Sequence, residues 1–188
     1  MGTMIDSGKD VVAFLKSQHQ RIKGLFETVL AAEGKEREAA FASLRRLMAI
    51  HETAEEEVVH PAARRALPDG EAVVTARLNE ENKAKKALAA IEKLDVASAQ
   101  FETQLRALQA DVLAHAESEE KQEFERLGDT LDRARLERMR SAVELAEKFA
   151  PTHPHAGVES ATANLMVGPF AAMVDRARDA ITGSSAKH

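Results

Sequence analysis

Apolar residues recur three and four apart along the chain up to about residue 149, with almost no alternating runs, on a background of Ala, Leu, Glu, Lys and Arg. That spacing and those residue types predict helices throughout. Asp6 and Ser7 can cap a first helix over about 8–32, and Gly34 offers a break after it. A second helix spans about 36–66 and stops where Pro68, Asp69 and Gly70 make a turn that cannot continue it. The third covers about 71–94, Asp95 to Ala99 connects, and the fourth covers about 99–127 until Gly128 and Asp129 close it. A fifth helix is expected over about 130–149. Beyond it, Pro151, Pro154 and Gly157 signal an extended linker, and residues 165–182 fit a short amphipathic helix.

Long helices joined by such short turns must run antiparallel to their neighbours. The fold class expected is therefore all-α: an up-down-up-down four-helix bundle with an additional helix, followed by a C-terminal linker and a short helix. The bundle with its fifth helix would occupy residues 8–149, and the Pro/His linker with the amphipathic helix residues 150–188. Leu165, Val167, Phe170, Met173, Val174 and Ile181 would dock that last helix on the bundle or on a second chain.

Comparing the second helix with the fourth brings candidate chemistry into view. A shift of 64 positions lays Phe41 on Leu105, Leu44 on Leu108, Met48 on Val112, His51 on His115, Glu55 on Glu119 and Glu56 on Glu120. The chain reads as a duplicated helix pair. In both copies the His and the first Glu continue an apolar stripe: Leu44, Met48, His51, Glu55, Val58 in one, and Leu105, Leu108, Val112, His115, Glu119 in the other. A carboxylate four residues after an imidazole lies one turn along the same face, so both can reach one metal ion or bridge two. The first helix adds His19 on the stripe Leu15, His19, Ile22, Phe26.

Composition narrows the chemistry. The 188 residues include no cysteine, so nitrogen and oxygen donors must hold any metal, which favours iron, manganese or zinc. No apolar run is long enough to span a bilayer and no basic-then-apolar leader opens the chain, so the expectation is a cytoplasmic protein without membrane contact. A net charge of -5 and the absence of Tyr and Trp argue against nucleic acid as a partner.

"HETAEEEVVHP" from His51 to Pro61 and "HAESEEKQEF" from His115 to Phe124 are similar to the second- and fourth-helix segments of the hemerythrin-like family, the HHE cation-binding domain. The resemblance spans roughly residues 10–127. It implies a metal site made of His19, His51, Glu55, His115 and Glu119. His19 and His51 would hold one iron and His115 the other, with Glu55 and Glu119 bridging. It also implies a small ligand: dioxygen, nitric oxide or peroxide. Two irons per chain are the first expectation, one iron the next, and manganese or zinc after that. A weak peroxide-decomposing activity is compatible with such a site, although no dedicated general acid marks an enzyme.

The sequence departs from the family where the second repeat should supply a His near residue 82. Asn82 stands there, and Lys85 occupies an inward position three residues on. An amide oxygen is a poor ligand beside imidazole, and an ammonium repels a cation at close range. Glu81 could compensate through one residue of helical rotation. Otherwise the bundle is degenerate, holding one metal or none and serving as an interaction or sensor module.

The other polar residues have plainer readings. Glu56, Glu57, Glu117, Glu120 and Glu123 read as a solvated acidic face. His60, before Pro61, reads as a packing residue, and His153 and His155 as surface residues of the linker.

Overall fold

The computed structural model describes residues 10–149, and every described element is helical. Helix α1 (Val11–Ala31) begins where the Asp10 side chain accepts a hydrogen bond from the Ala13 amide at 2.8 Å, so the cap falls after Asp6 and Ser7, which lie outside the described residues. Gly34, at φ +52°, opens α2 (Gly34–Ala54) from a left-handed conformation that an L side chain adopts only with strain. The same rod continues through a five-residue π-helical stretch, Glu55–Val59, into α3 (His60–Ala66). Gly70 then opens α4 (Gly70–Ile91) beneath the end of α3, where a Cβ would meet the Ala63 carbonyl oxygen at 2.3 Å. Only glycine allows that approach.

Helix α5 (Ala99–Glu119) starts at a Ser98 cap, whose hydroxyl accepts from the Phe101 amide at 3.1 Å. It passes through a second π-helical stretch, Glu120–Phe124, into α6 (Glu125–Thr130). The helix therefore runs through Gly128 and Asp129 instead of ending there, and α4 stops at Ile91, short of residue 94. Both differences sit at helix ends, where propensity alone is weakest. Helix α7 (Arg133–Phe149) is the expected additional helix. The linker and the 165–182 helix, with His153 and His155, lie outside the described residues.

Helix α1 packs on α2 and α5, and α4 on α5 and α3, which closes the four-rod bundle. Helix α7 lies along α1, α2 and the first π-helical stretch. Two apolar clusters form the core. One gathers Leu15, Val58, Phe124, Leu127, Met139 and Val143 under α7. The other gathers Ile22, Phe26, Leu44, Leu88, Phe101 and Leu105 at the opposite end. Each fully buried Leu, Ile or Phe contributes ~1.5–3 kcal/mol of transfer free energy. Those two clusters offset the cost of the polar layer between them, where His19, His51, Glu55, Glu81 and Glu119 are all buried. No described helix is long and apolar enough to cross a membrane.

Candidate metal centre

The polar layer brings together the residues singled out by the duplicated pattern. His19, His51, Glu55 and Glu119 form one group, and Glu55, Glu81, His115 and Glu119 a second; within each, one donor atom per residue lies within 4.8 Å of the others. The two groups share Glu55 and Glu119, both 0% exposed. His51 Nε2 lies 2.9 Å from Glu55 Oε1, while Glu119 Oε2 is 3.4 Å from His19 Nε2 and 3.6 Å from His115 Nε2.

All three imidazoles are held from behind. His19 Nδ1–H donates to Glu120 Oε1 at 2.8 Å, His51 Nδ1–H to Gln18 Oε1 at 2.7 Å, and His115 Nδ1–H to Glu80 Oε2 at 2.8 Å. An outward Nδ1–H directs Nε2 at the centre, as imidazole ligands of metals are usually arranged. Gln18 in turn donates to Glu147 of α7, so that helix reaches His51 through one side chain.

Against this arrangement stands a set of unsatisfied atoms. Both oxygens of Glu55 and of Glu119, and His19 Nε2, are buried without a hydrogen bond. Native interiors rarely leave a buried carboxylate so, because each unmet oxygen costs free energy that only a cation, a proton or a donor recovers. The donor set of imidazole nitrogens and carboxylate oxygens suits iron, manganese or zinc.

The sequence matches the hemerythrin HHE cation binding domain over residues 10–127. The chain belongs to that family. Among solved structures it is similar to a hemerythrin HHE cation binding domain-containing protein from Mycobacterium kansasii, at 19% identity and a TM-score of 0.67. The similarity covers 89% of this chain and 98% of the other, and it shows a shared fold. No curated protein sequence matches.

In this hemerythrin-like, metal-binding bundle the π-helical stretches decide what else faces the site. In an α-helix, five residues from Glu55 would carry His60 about 140° around the axis. The π turn closes on the fifth residue instead, with the His60 amide bonded to the Glu55 carbonyl, and so returns His60 to the inner face. There its Nδ1 meets Glu123 Oε1 at 2.9 Å and its Nε2 meets Glu81 Oε1 at 2.8 Å. His60 is buried as expected of a packing residue, but it serves as a polar bridge between two carboxylates.

The acidic-face reading needs correction in two places. Glu123 is 0% and Glu57 4% exposed, so neither is solvated. Glu123 lies four residues beyond Glu119, the spacing that continues the inner stripe, although it falls in the second π-helical stretch. Glu57 sits within the first π-helical stretch, where the α-helical period no longer applies. Glu120 is half-buried against His19 and Glu56 against Lys85, whereas Glu117 is exposed and paired with Lys121. Asn82 is half-buried, and its neighbour Glu81 faces the centre in its place. Lys85 binds Glu56, with Glu52 at 3.4 Å and Glu81 at 3.9 Å.

The electrostatics follow from burial and proximity. Burial, then the charges of Glu119, Glu81 and Glu123, push the Glu55 carboxyl well above its ordinary range. Burial opposes ionisation of Glu119 too, but His19, His115 and His60 outweigh it and hold that carboxyl at about 2. Without metal the pair therefore keeps one proton, placed on Glu55. Burial, then the neighbouring His19 charge, keeps His51 well below its usual value and neutral. Burial also acts against protonated His19 and His60, yet Glu119 and Glu120 raise the first, and Glu123 and Glu81 raise the second well above its usual value.

A cavity of about 420 Å³ opens onto this layer, lined by His19, His51, Glu55, Glu81 and His115 together with Ile22 and Met48. A space of that size admits water and small ligands to the Nε2 side of the imidazoles.

Proposed function

We propose that this chain is a non-haem iron protein that holds two irons between His19, His51, Glu55, His115 and Glu119 and binds or senses dioxygen, nitric oxide or peroxide. The observation that carries the reading is three imidazoles, fixed from behind through Nδ1, converging on two buried carboxylates that have no hydrogen bonds. Iron would supply an exchangeable electron and coordination positions open to a small molecule. The protein's part is to orient the imidazoles, keep Glu55 and Glu119 away from bulk water, and offer the cavity as an approach.

Lys85 favours a different reading, in which the bundle is metal-free and serves as an interaction or sensor module. Its ammonium, however, is engaged by Glu56 and Glu52 at the edge of the layer. Neither Glu55 nor Glu119 is among its ion-pair partners, and their negative charge is what a cation would balance.

The deciding experiment is iron, manganese and zinc per chain by elemental analysis of protein purified without a metal-affinity column, with visible spectra before and after peroxide. Two irons and a peroxide-sensitive absorption band are expected. A protein without stoichiometric metal after expression in iron-supplemented medium, and with a stability indifferent to chelator, would establish the metal-free module instead.

A further inference from the structure

The second half of the site lacks the imidazole its duplicated partner has, yet it does not lack a donor. Glu81 is 2% exposed and comes from the α4 turn where Asn82 had marked the gap. One carboxylate oxygen of Glu81 lies within 4.8 Å of donor atoms of Glu55, His115 and Glu119. Its two oxygens are treated differently. His60 Nε2–H holds Oε1 at 2.8 Å, while Oε2 is buried without a hydrogen bond, with Lys85 Nζ at 3.9 Å.

His60 is itself fixed on its other nitrogen by Glu123 Oε1 at 2.9 Å, and Glu123 is fully buried. An imidazolium clamped between two carboxylates is a rigid support. It cannot rotate without breaking both charge-assisted hydrogen bonds. Both members that follow the duplicated Glu residues, His60 after Glu55 and Glu123 after Glu119, thus serve one carboxylate on a third helix.

We infer that Glu81 is a metal ligand of the second half-site, aimed by His60 and Glu123, so that this half takes a hard cation, iron or manganese(II), through three carboxylates and one imidazole. The inference rests on the metal-binding reading above and adds the identity and preference of the second position. The first half, with His19 and His51, is richer in nitrogen. Oxygen donors favour manganese and iron, whereas imidazole strengthens zinc relative to them. The two halves therefore differ in metal preference. His60 and Glu123 act on the ion only through Glu81 and are positioning residues.

The test is anaerobic titration of the full chain with manganese(II), iron(II) and zinc(II) separately. It is read by calorimetry and elemental analysis, with the manganese(II) electron paramagnetic resonance spectrum as an activity-independent signature. Wild type should bind two ions. Glu81→Gln should keep the first and weaken the second at least about tenfold, and His60→Gln should weaken the second about 10- to 100-fold with the first unchanged. Glu81→His should restore two ions while raising the zinc-to-manganese affinity ratio at the second position, a rescue that a merely structural glutamate would not show.

Two ions of unaltered affinity in Glu81→Gln would overturn the inference and leave the metal-binding reading intact. A single ion in wild type would also overturn it. No ion in wild type would overturn both. Should Glu81→Gln fold poorly by circular dichroism, Glu81→His carries the decision: two ions with the wild-type zinc-to-manganese ratio would refute a ligand role.

Discussion

Metal loading of this bundle must expel protons, and their number follows from the site. In the metal-free protein Glu55 keeps a proton because burial and three neighbouring carboxylates disfavour its charge, and His19 keeps one because Glu119 and Glu120 outweigh burial. His51 is already neutral. A cation engaging Glu55 and His19 Nε2 displaces both protons, so about two are released per loaded site. Each obligatory proton makes affinity fall about tenfold per pH unit, or ~1.4 kcal/mol. With its pKa raised, His19 stays mostly protonated at mildly acidic pH, where Glu119, held at about 2, is ionised and Glu55 keeps its proton, so affinity should there fall by up to about 100-fold per unit of acidification. Calorimetric titration with manganese(II) in buffers of different ionisation enthalpy, from pH 5.5 to 7.5, measures release and affinity together. Affinity independent of pH with no proton release would refute the reasoning, because the cation would then be entering elsewhere.

Four further outcomes are expected. Gly70→Ala places a methyl against the Ala63 carbonyl and should cost about 1–3 kcal/mol in denaturant unfolding; an unchanged midpoint would mean that α3 and α4 separate freely. The chelated protein should lose thermal stability as pH rises from 6.5 to 9. His19 and His60 have raised folded pKa values, so their stabilisation is complete below 6.5 and lost above it, while Glu52, pushed up to about 8 mainly by burial, disfavours the fold progressively from 4.5 to 8. A melting temperature that climbs across that range would contradict these protonation states. Leu105→Ala, at a fully buried position, should cost about 2–5 kcal/mol by the same denaturant assay, and a loss under 1 kcal/mol would mean the cluster collapses to fill the space. Asn82→His should leave the metal count by elemental analysis unchanged, since Glu81 already faces the centre; a gain in bound metal would show that Glu81 does not fill that position.

Much of this was legible in residue spacing. The stripes through His19, His51 and His115 lie on the inner face, with His115 half-buried where it lines the cavity, because α-helical period holds up to each His-x-x-x-Glu pair. Beyond each pair it fails. A π turn inserts a residue's worth of rotation, so His60 turns toward Glu81 and Glu123 at a spacing that period 3.6 assigns to another face. The gap at Asn82 is faced one residue earlier by Glu81, the carboxylate that a single residue of helical rotation offered in its place. Nothing in local sequence marks Gln18 as the link between His51 and α7, because that contact joins residues 129 positions apart.

The π-helical stretches make helix type, as much as residue type, an unforgiving variable in this protein. Surface turns such as Asp95 to Ser98 can gain or lose a residue at small cost. At unchanged length, relaxing Glu55–Val59 to ordinary α-helix would swing His60 about 100° away from Glu81 and Glu123; removing one residue along with the π turn would instead leave His60 four residues after Glu55, still on the inner face. In the first case two carboxylates would lose their shared counter-charge at once, in a helix whose hydrogen bonding had merely been regularised. Within these ten residues a change of length is absorbed only when the hydrogen-bonding pattern changes with it.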